Sequence, residues 1–286
     1  MAGSTSATLN DLLPTIVQEA MFVAQERSIM RGLVKNYQLA PSQGKTIQVP
    51  IYPRQTAAAL TEGNEFDNTA VSTDVATFDV AQVGIRTLVT DLALNASASN
   101  VVADLGRLFG EAIATKMDKD LIAKFSSFTS NTVGSTSTTI TPALLMQAIT
   151  KLKNGAVPTD GLVAVLHPAI AYDLKSAITT SGSTAFGGNG QGEVANEAMR
   201  NGFVGFLFGV PVYETSNFTA ATDAGDFVGG VFHRDALGLG IMRDIQIETQ
   251  RRASYLGTDI VASAMYGTGV VYEGYGCAAT FDSTVL

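Results

Sequence analysis

The chain has 286 residues, 46% of them apolar and only 15% charged, with 18 Lys and Arg set against 26 Asp and Glu. A formal charge of −8 excludes a protein whose main task is gripping nucleic acid, because phosphate neutralisation needs clustered cations. A single cysteine excludes a disulfide framework, and a charge fraction well below the usual quarter leaves a lone subunit bare, to be covered by small polar residues or by other copies.

Residues 1–10 are small and polar and read as a loose arm. The start shows neither the basic region nor the apolar run of a signal peptide, and no apolar run approaches the ~20 residues that span a bilayer. The expectation is therefore a soluble protein made inside the cell. From Pro14 to Val34 the positions Ile16, Val17, Ala20, Met21, Ala24, Ile29, Met30, Leu33 and Val34 share one helical face. Beyond Gly44 the period changes to two, with Ile47, Val49 and Ile51 on one face and Pro50 marking an edge strand.

An answering strand falls within Val75–Val89, where Val83, Ile85, Thr87 and Val89 share a face and Phe78 and Val80 lie on the other. That switch predicts a bulge near Ala81–Gln82. The whole of 45–89 reads as a long two-stranded hairpin projecting from the body. Such a hairpin is marginal alone in water and needs something outside its own domain to lie on. The polar, acidic stretch 53–74 between the strands is too long for an ordinary connection.

Asn100–Phe125 is the clearest element. Val101, Leu105, Leu108, Phe109, Ala112, Ile113, Met117, Leu121 and Phe125 recur at three- and four-residue steps, with Ser99 or Asn100 as cap. At 1.5 Å per residue this helix is roughly 39 Å long. Lys116/Asp120 is an i,i+4 pair, and Asp118 and Asp120 read as solvated charges on its wet side. Ser126–Thr141 reads as a linker. A second domain follows, with a helix from Thr141-Pro142 to Gly155, a buried central strand Leu162–Leu166, and a helix from Pro168 to Ile178. Thr179–Gly192 is a loop, and strands follow within 203–213, 227–232, 237–242, 245–248, 260–266 and 270–272.

Chemistry is sparse. His167 closes a strand-to-helix turn without the nucleophile and carboxylate that a catalytic base requires. His233-Arg234-Asp235 offers too few ligands for a metal, and Cys277 sits among small residues as packing. Gly187–Gly192 lacks the Lys-Ser/Thr of a phosphate loop. No metal, cofactor or catalytic residue is expected.

The order of these parts resembles that of the major capsid proteins of tailed bacteriophages, with their Hong Kong 97-type shell fold. The stretches that carry the resemblance are Leu166-His167-Pro168, Gly209-Val210-Pro211-Val212-Tyr213-Glu214-Thr215 and Ile245-Gln246-Ile247-Glu248…Arg251-Arg252…Gly257-Thr258-Asp259-Ile260…Tyr266-Gly267. The resemblance implies an α+β fold. Its parts are an N-terminal arm and helix over 1–44, an extended β-hairpin (E-loop) over 45–90, a peripheral domain with its spine helix over 91–140 and 241–286, and an axial domain over 141–240. It implies a non-enzymatic subunit of the virion capsid, self-assembling into the hexamers and pentamers of an icosahedral shell around double-stranded DNA. A separate scaffolding protein, a portal and decoration proteins are the implied partners. DNA is touched only weakly and no membrane is involved. No scaffolding segment is expected ahead of the first helix. With no lysine between Arg54 and Val89, the shell is expected to hold without covalent crosslinks. Two rival readings are another virion part, such as a tail tube or fibre, and an oligomeric enzyme with its site at Gly187–Gly192. A tail tube would be mostly strand and would lack the long helix.

Contacts between copies are expected at the hairpin. Its apolar face, Ile47, Val49, Ile51, Val83 and Ile85, supplies the binding energy. Its acidic residues, Glu62, Glu65, Asp67 and Asp74, seek a basic surface on a neighbour: Arg251 and Arg252 in the closing turn, or Arg27, Arg31 and Lys35 on the N-terminal helix. Exposed pairs of this kind steer docking more than they drive it.

Overall fold

The computed structural model describes residues 28–40, 44–52, 54, 55, 57, 59, 70–92, 101–181, 206–221 and 225–286, with the backbone alone at 101–104 and 179–181. Residues 14–27 of the helix expected from Pro14 to Val34, the caps Ser99 and Asn100, the residues Arg27, Glu62, Glu65 and Asp67, and the Gly187–Gly192 loop lie outside the described residues.

Helix α1 (Met30–Leu33) is short and hands over at once to strand β1 (Lys35–Gln38), so Lys35 opens a strand instead of ending a helix. The long helix, α2 (Val101–Ile122), runs on as a 3-10 turn through Ala123–Ser127. Its buried stripe is Phe109, Ile113, Met117 and Leu121, joined by Ala114, Ile122 and Phe125. The expected stripe is therefore displaced on one flank. Leu108 is 59% exposed, whereas Asp118, read as solvated, is fully buried. Periodicity locates an apolar stripe, but what packs beside it decides which flank is covered. Here the covering groups are the Ser28–Ile29 segment and Asn217, which reach over Asp118.

Strands β2 (Thr46–Ile51), β3 (Asp74–Asp79) and β4 (Ala81–Thr90) follow β1. In chain order the next elements are β5 (Thr132–Gly134), helix α3 (Pro142–Asn154), β6 (Leu162–Leu166) and helix α4 (Pro168–Ser181). Beyond them come β7 (Phe206–Leu207), β8 (Val210–Glu214), β9 (Asp226–His233), β10 (Leu237–Arg252), β11 (Gly257–Val270) and β12 (Gly276–Asp282). Helix α3 starts where Pro142 suits a first turn and the Thr141 hydroxyl accepts from the Leu144 N–H.

The strands form a four-stranded sheet in the order β1-β10-β11-β4, a six-stranded sheet in the order β5-β12-β9-β6-β8-β7, and the β2–β3 hairpin. All five residues of β6 are buried, as its continuous apolar run predicts, and both its edges are paired. The segments 237–242 and 245–248 are one strand, interrupted by register shifts between Ile241 and Arg243 and between Arg243 and Gln246. Likewise 260–266 and the residues up to Val270 belong to one strand, β11.

Two boundaries need correction. The stretch 126–141 contains β5 and the fully buried Phe128 and Ile140, so it is part of the core and not a free linker. The region 241–286 is not one unit either. After β11 the chain crosses at 271–275, and β12 pairs with β9 in the six-stranded sheet. β12 gives a weak strand signal because its buried positions Cys277, Ala278 and Ala279 are small. Phe281 is its one large core residue.

Leu121→Ala should destabilise the subunit by about 2–5 kcal/mol, as cavity formation at a fully buried leucine does, while Leu108→Ala should change it by less than about 0.5 kcal/mol. Urea unfolding of the two variants measures both.

Candidate assembly site

The hairpin pairs Thr46 with Asp79, Ile47 with Phe78 and so on to Ile51 with Asp74. Its root is closed by the Val80 N–H donating to the Lys45 carbonyl at 2.7 Å and by the Thr46 hydroxyl donating to Asp79 at 2.6 Å. It ends there. The hairpin expected over 45–90 is correct only to Asp79, and β4 pairs along its whole length with β11, from Ala81 opposite Tyr266 to Thr90 opposite Gly257. The irregularity expected near Ala81–Gln82 is a change of sheet at Val80. Alternation reports that one face is buried, not which strand lies alongside.

The root is anchored by the cross-strand pair Ile47 and Phe78, buried with Val271 in a small cluster that Tyr37, Leu39, Val49 and Val80 complete. The Tyr37 and Phe78 rings lie 6.1 Å apart, tilted. This anchor sits on a glycine-lined stretch of the β10–β11 ladder. A Cβ at Gly269 would come within 2.6 Å of the Phe78 Cβ, and one at Gly267 would strike the Asp79 carbonyl oxygen. Backbone meets backbone there, and only glycine allows it.

The five apolar residues expected to form one free face are thus divided. Ile47 and Val49 pack in the root cluster, Val83 and Ile85 pack on the main core from β4, and Ile51 lines an open cavity of about 760 Å³. That cavity separates the hairpin from Ser127 and from the 270–274 crossing, with Asp74, Val75, Tyr272 and Glu273 on its walls. The hairpin also does not simply project. It lies back over its own chain, where the Arg54 guanidinium donates to the Ala156 carbonyl at 2.5 Å. The apolar groups it does offer to solvent are Tyr52 (71% exposed), Val71 and Val75, which the alternation reading passed over.

The basic residues are already engaged in their own chain. Arg31 pairs with Asp244 at 3.0 Å and Lys35 with Asp235 at 3.2 Å. Arg251 forks onto Asp91 at 2.5 and 2.7 Å and draws that carboxyl below the ordinary range through the hydrogen bond. Arg252 (2.5 Å) and Arg86 (2.9 Å) share the buried carboxylate of Asp259. These pairs brace the end of the β10–β11 hairpin, where Tyr255 and Leu256 are exposed and Leu256 takes φ +43°. Asp74 accepts from the Val75 N–H and remains exposed.

The other polar residues serve the fold. His167 accepts from the Ala169 N–H at 3.2 Å and stacks on Phe227 at 3.7 Å, and burial lowers its pKa. His233 accepts from the Asp235 N–H and pairs with the Asp160 carbonyl at 2.8 Å. One Glu273 oxygen accepts from the N–H and hydroxyl of both Thr129 and Ser130, bonds that hold its carboxyl below the usual range. Tyr266 donates to Asp120 at 2.8 Å; burial first, then that bond, pushes its phenol up. Among the described residues no group of acids, His or Cys is arranged to hold a metal, and no helix is long and apolar enough to cross a membrane.

The long helix thus packs on the four-stranded sheet, its 3-10 extension reaches the six-stranded one, and a two-stranded hairpin is rooted on the first. The chain belongs to the phage capsid protein family, whose model matches residues 73–280. Among curated proteins no sequence matches it. The fold is similar to the capsid structure of cyanophage P-SCSP1u (18% identity, TM-score 0.70, covering 90% of this chain and 89% of that one). It is also similar to a structure from Mycobacterium phage Che8 (20%, 0.67, 88% and 91%). A third likeness is to the mature capsid of bacteriophage PhiM1 (16%, 0.68, 91% and 88%). The protein is a structural subunit of a phage capsid, self-associating in the shell of the virion.

Gly267→Ala should detach the hairpin root at about 1–3 kcal/mol, the usual penalty of overpacking, and speed amide exchange across 46–51 and 74–79 while 101–122 stays protected. Burial pushes the Cys277 thiol up to about 11. It should therefore resist thiol reagents at pH 8 in the folded subunit and react at once in urea.

Proposed function

We propose that copies of this chain close into an icosahedral shell of hexamers and pentamers enclosing double-stranded DNA, with the β2–β3 hairpin and its acidic loop as the joining element. The observation that carries the reading is the hairpin's attachment. It is packed at its root by Ile47 and Phe78, is backed beyond that by a cavity, and shows Tyr52, Val71 and Val75 to solvent. A two-stranded ribbon with exposed apolar side chains gains by lying on another surface. Ile51 and Asp74 stand where a neighbour meets it, while Ile47, Val49, Val83 and Ile85 hold its course.

No Lys or Arg stands between Gln55 and Asp74, so Glu62, Glu65, Asp67 and Asp74 seek cations on a second copy. The braced turn is suited to this, because among the described residues Arg86, Arg251 and Arg252 pair with the two carboxylates of Asp91 and Asp259 and leave positive charge over. Arg27, Arg31 and Lys35 are the alternative surface. On this reading the 1–44 arm, the 45–90 region, the peripheral parts and the axial 141–240 region act as separate contact units. The shell is held noncovalently, and the chain has no catalytic role. It is made in the host cytoplasm and works with a scaffolding protein, a portal and, on the outside, decoration proteins. Net acidity keeps packaged DNA from adhering to the wall.

Deleting residues 56–69, or replacing Val75 with Asp, should leave the subunit's melting temperature near wild type and cut shell yield at least tenfold, counted by negative-stain microscopy. High salt should slow assembly with little loss of finished shells. Unchanged assembly rate and shell stability in both variants would overturn the reading.

A further inference from the structure

Asp118 is the most unexpected group in the molecule. It lies in the middle of α2, is fully buried, and the three groups it accepts from are all neutral. The Ser28 hydroxyl donates to one of its oxygens at 2.9 Å. The Ile29 N–H donates to the other at 3.3 Å, and the Asn217 amide reaches that same oxygen at 3.4 Å. The Met30 N–H lies near the carboxylate and favours its charged form. Three segments far apart in sequence therefore meet on one carboxylate: the chain entering α1, the long helix, and the loop that follows β8.

A buried carboxylate without a cation is costly, and an apolar residue in its place is often neutral or stabilising for a fold. Its retention points to what it specifies. Residues 28–30 have no regular backbone partner in a sheet until β1 begins at Lys35. The backbone N–H at the start of α1 needs an acceptor, and α1 draws no cap from its own N-cap side chain. Asp118 supplies it from another element and also takes the Ser28 hydroxyl, which fixes the chain at Ser28–Ile29. The loop side is equally fixed. Asn217 donates its own N–H to the Thr215 hydroxyl, Thr215 donates its N–H to the Leu166 carbonyl at the end of β6, and Phe218 packs near Phe125 at 6.3 Å.

We propose that Asp118 is a positioning residue for assembly: it fixes the chain at Ser28–Ile29, where the N-terminal arm joins the body, and with it the subunit's competence to join a shell. The inference rests on the reading of the 1–44 arm as a contact unit. Its test separates the two, because it compares variants that leave residues 1–27 intact with one that removes them.

Asp118→Asn keeps the shape but loses one acceptor oxygen and turns amide hydrogens toward either the Ser28 hydroxyl or the Ile29 N–H. Ile29→Pro removes one donor at a residue whose φ of −81° proline accepts, and Ser28→Ala removes another, both without touching α2. The expected result is at least a tenfold faster exchange of the Met30–Val34 amides in Asp118→Asn and in the Ser28→Ala/Ile29→Pro double variant. Exchange across 105–122 and the melting of the free subunit should stay near wild type, while shell yield falls at least tenfold or shells become irregular in size. Shell yield and diameter equal to wild type in the double variant overturn the proposal, whether or not Asp118→Asn folds. A truncation lacking residues 1–27 that assembles normally overturns the contact role of the arm itself, and the positioning role with it.

Discussion

Burial of the long helix on both flanks is the constraint on which the other contacts depend. One flank of α2 lies against β10, β11 and β4 of the four-stranded sheet, and the other is closed by the Ser28–Met30 segment and the 215–218 loop. Its 3-10 extension then carries Phe125 and Phe128 into the six-stranded sheet, where Phe125 meets Phe232 at 5.3 Å. The result is one continuous core that contains residues from both sheets. Neither sheet could move against the helix without opening this core, and interiors packed at crystal-like density resist such openings. The hairpin is the exception. It has its own small cluster outside that core, so it is free to respond to what lies next to it.

Much of this was legible in the residues. The 3.6-residue period found α2, the continuous run Leu162–Leu166 found the central strand, and Thr141-Pro142 marked the start of α3, because in each case a local rule and the fold agree. What was not legible depends on partners distant in sequence. Asp118 reads as solvated because nothing near it in sequence announces Ser28 or Asn217. β4 reads as part of the hairpin because its alternation fits any sheet, and only the ladder with β11 places it. β12 escaped because small residues pack a strand without the β-branched signature that betrays one.

The candidate site shows the same division. That a hairpin exists and that its loop is acidic follow from composition and period. That Ile47 and its partner Phe78 are consumed by their own subunit does not, since burial against Gly240 and Gly269 is a property of strands about two hundred residues away. The ion pairs of Arg31, Lys35, Arg251 and Arg252 teach a related lesson. In a chain with so few charges, basic residues that look available in sequence are the ones the fold uses to brace strand ends. Exposed pairs of this strength can exchange partners when a surface of opposite charge arrives.

The direct step from β3 into β4 has a mechanical meaning. A pull on the hairpin enters the body at Val80 and runs along the axis of β4, whose ten residues from Ala81 to Thr90 are all paired with β11. Loaded lengthwise, those pairs share the force together and must slide as a block; they are not peeled apart one after another. The neighbouring β10–β11 ladder lies parallel to the same line and backs it. A shell built of such subunits would pass tension from copy to copy along the strands, and internal pressure would meet the fold in its stiffest direction.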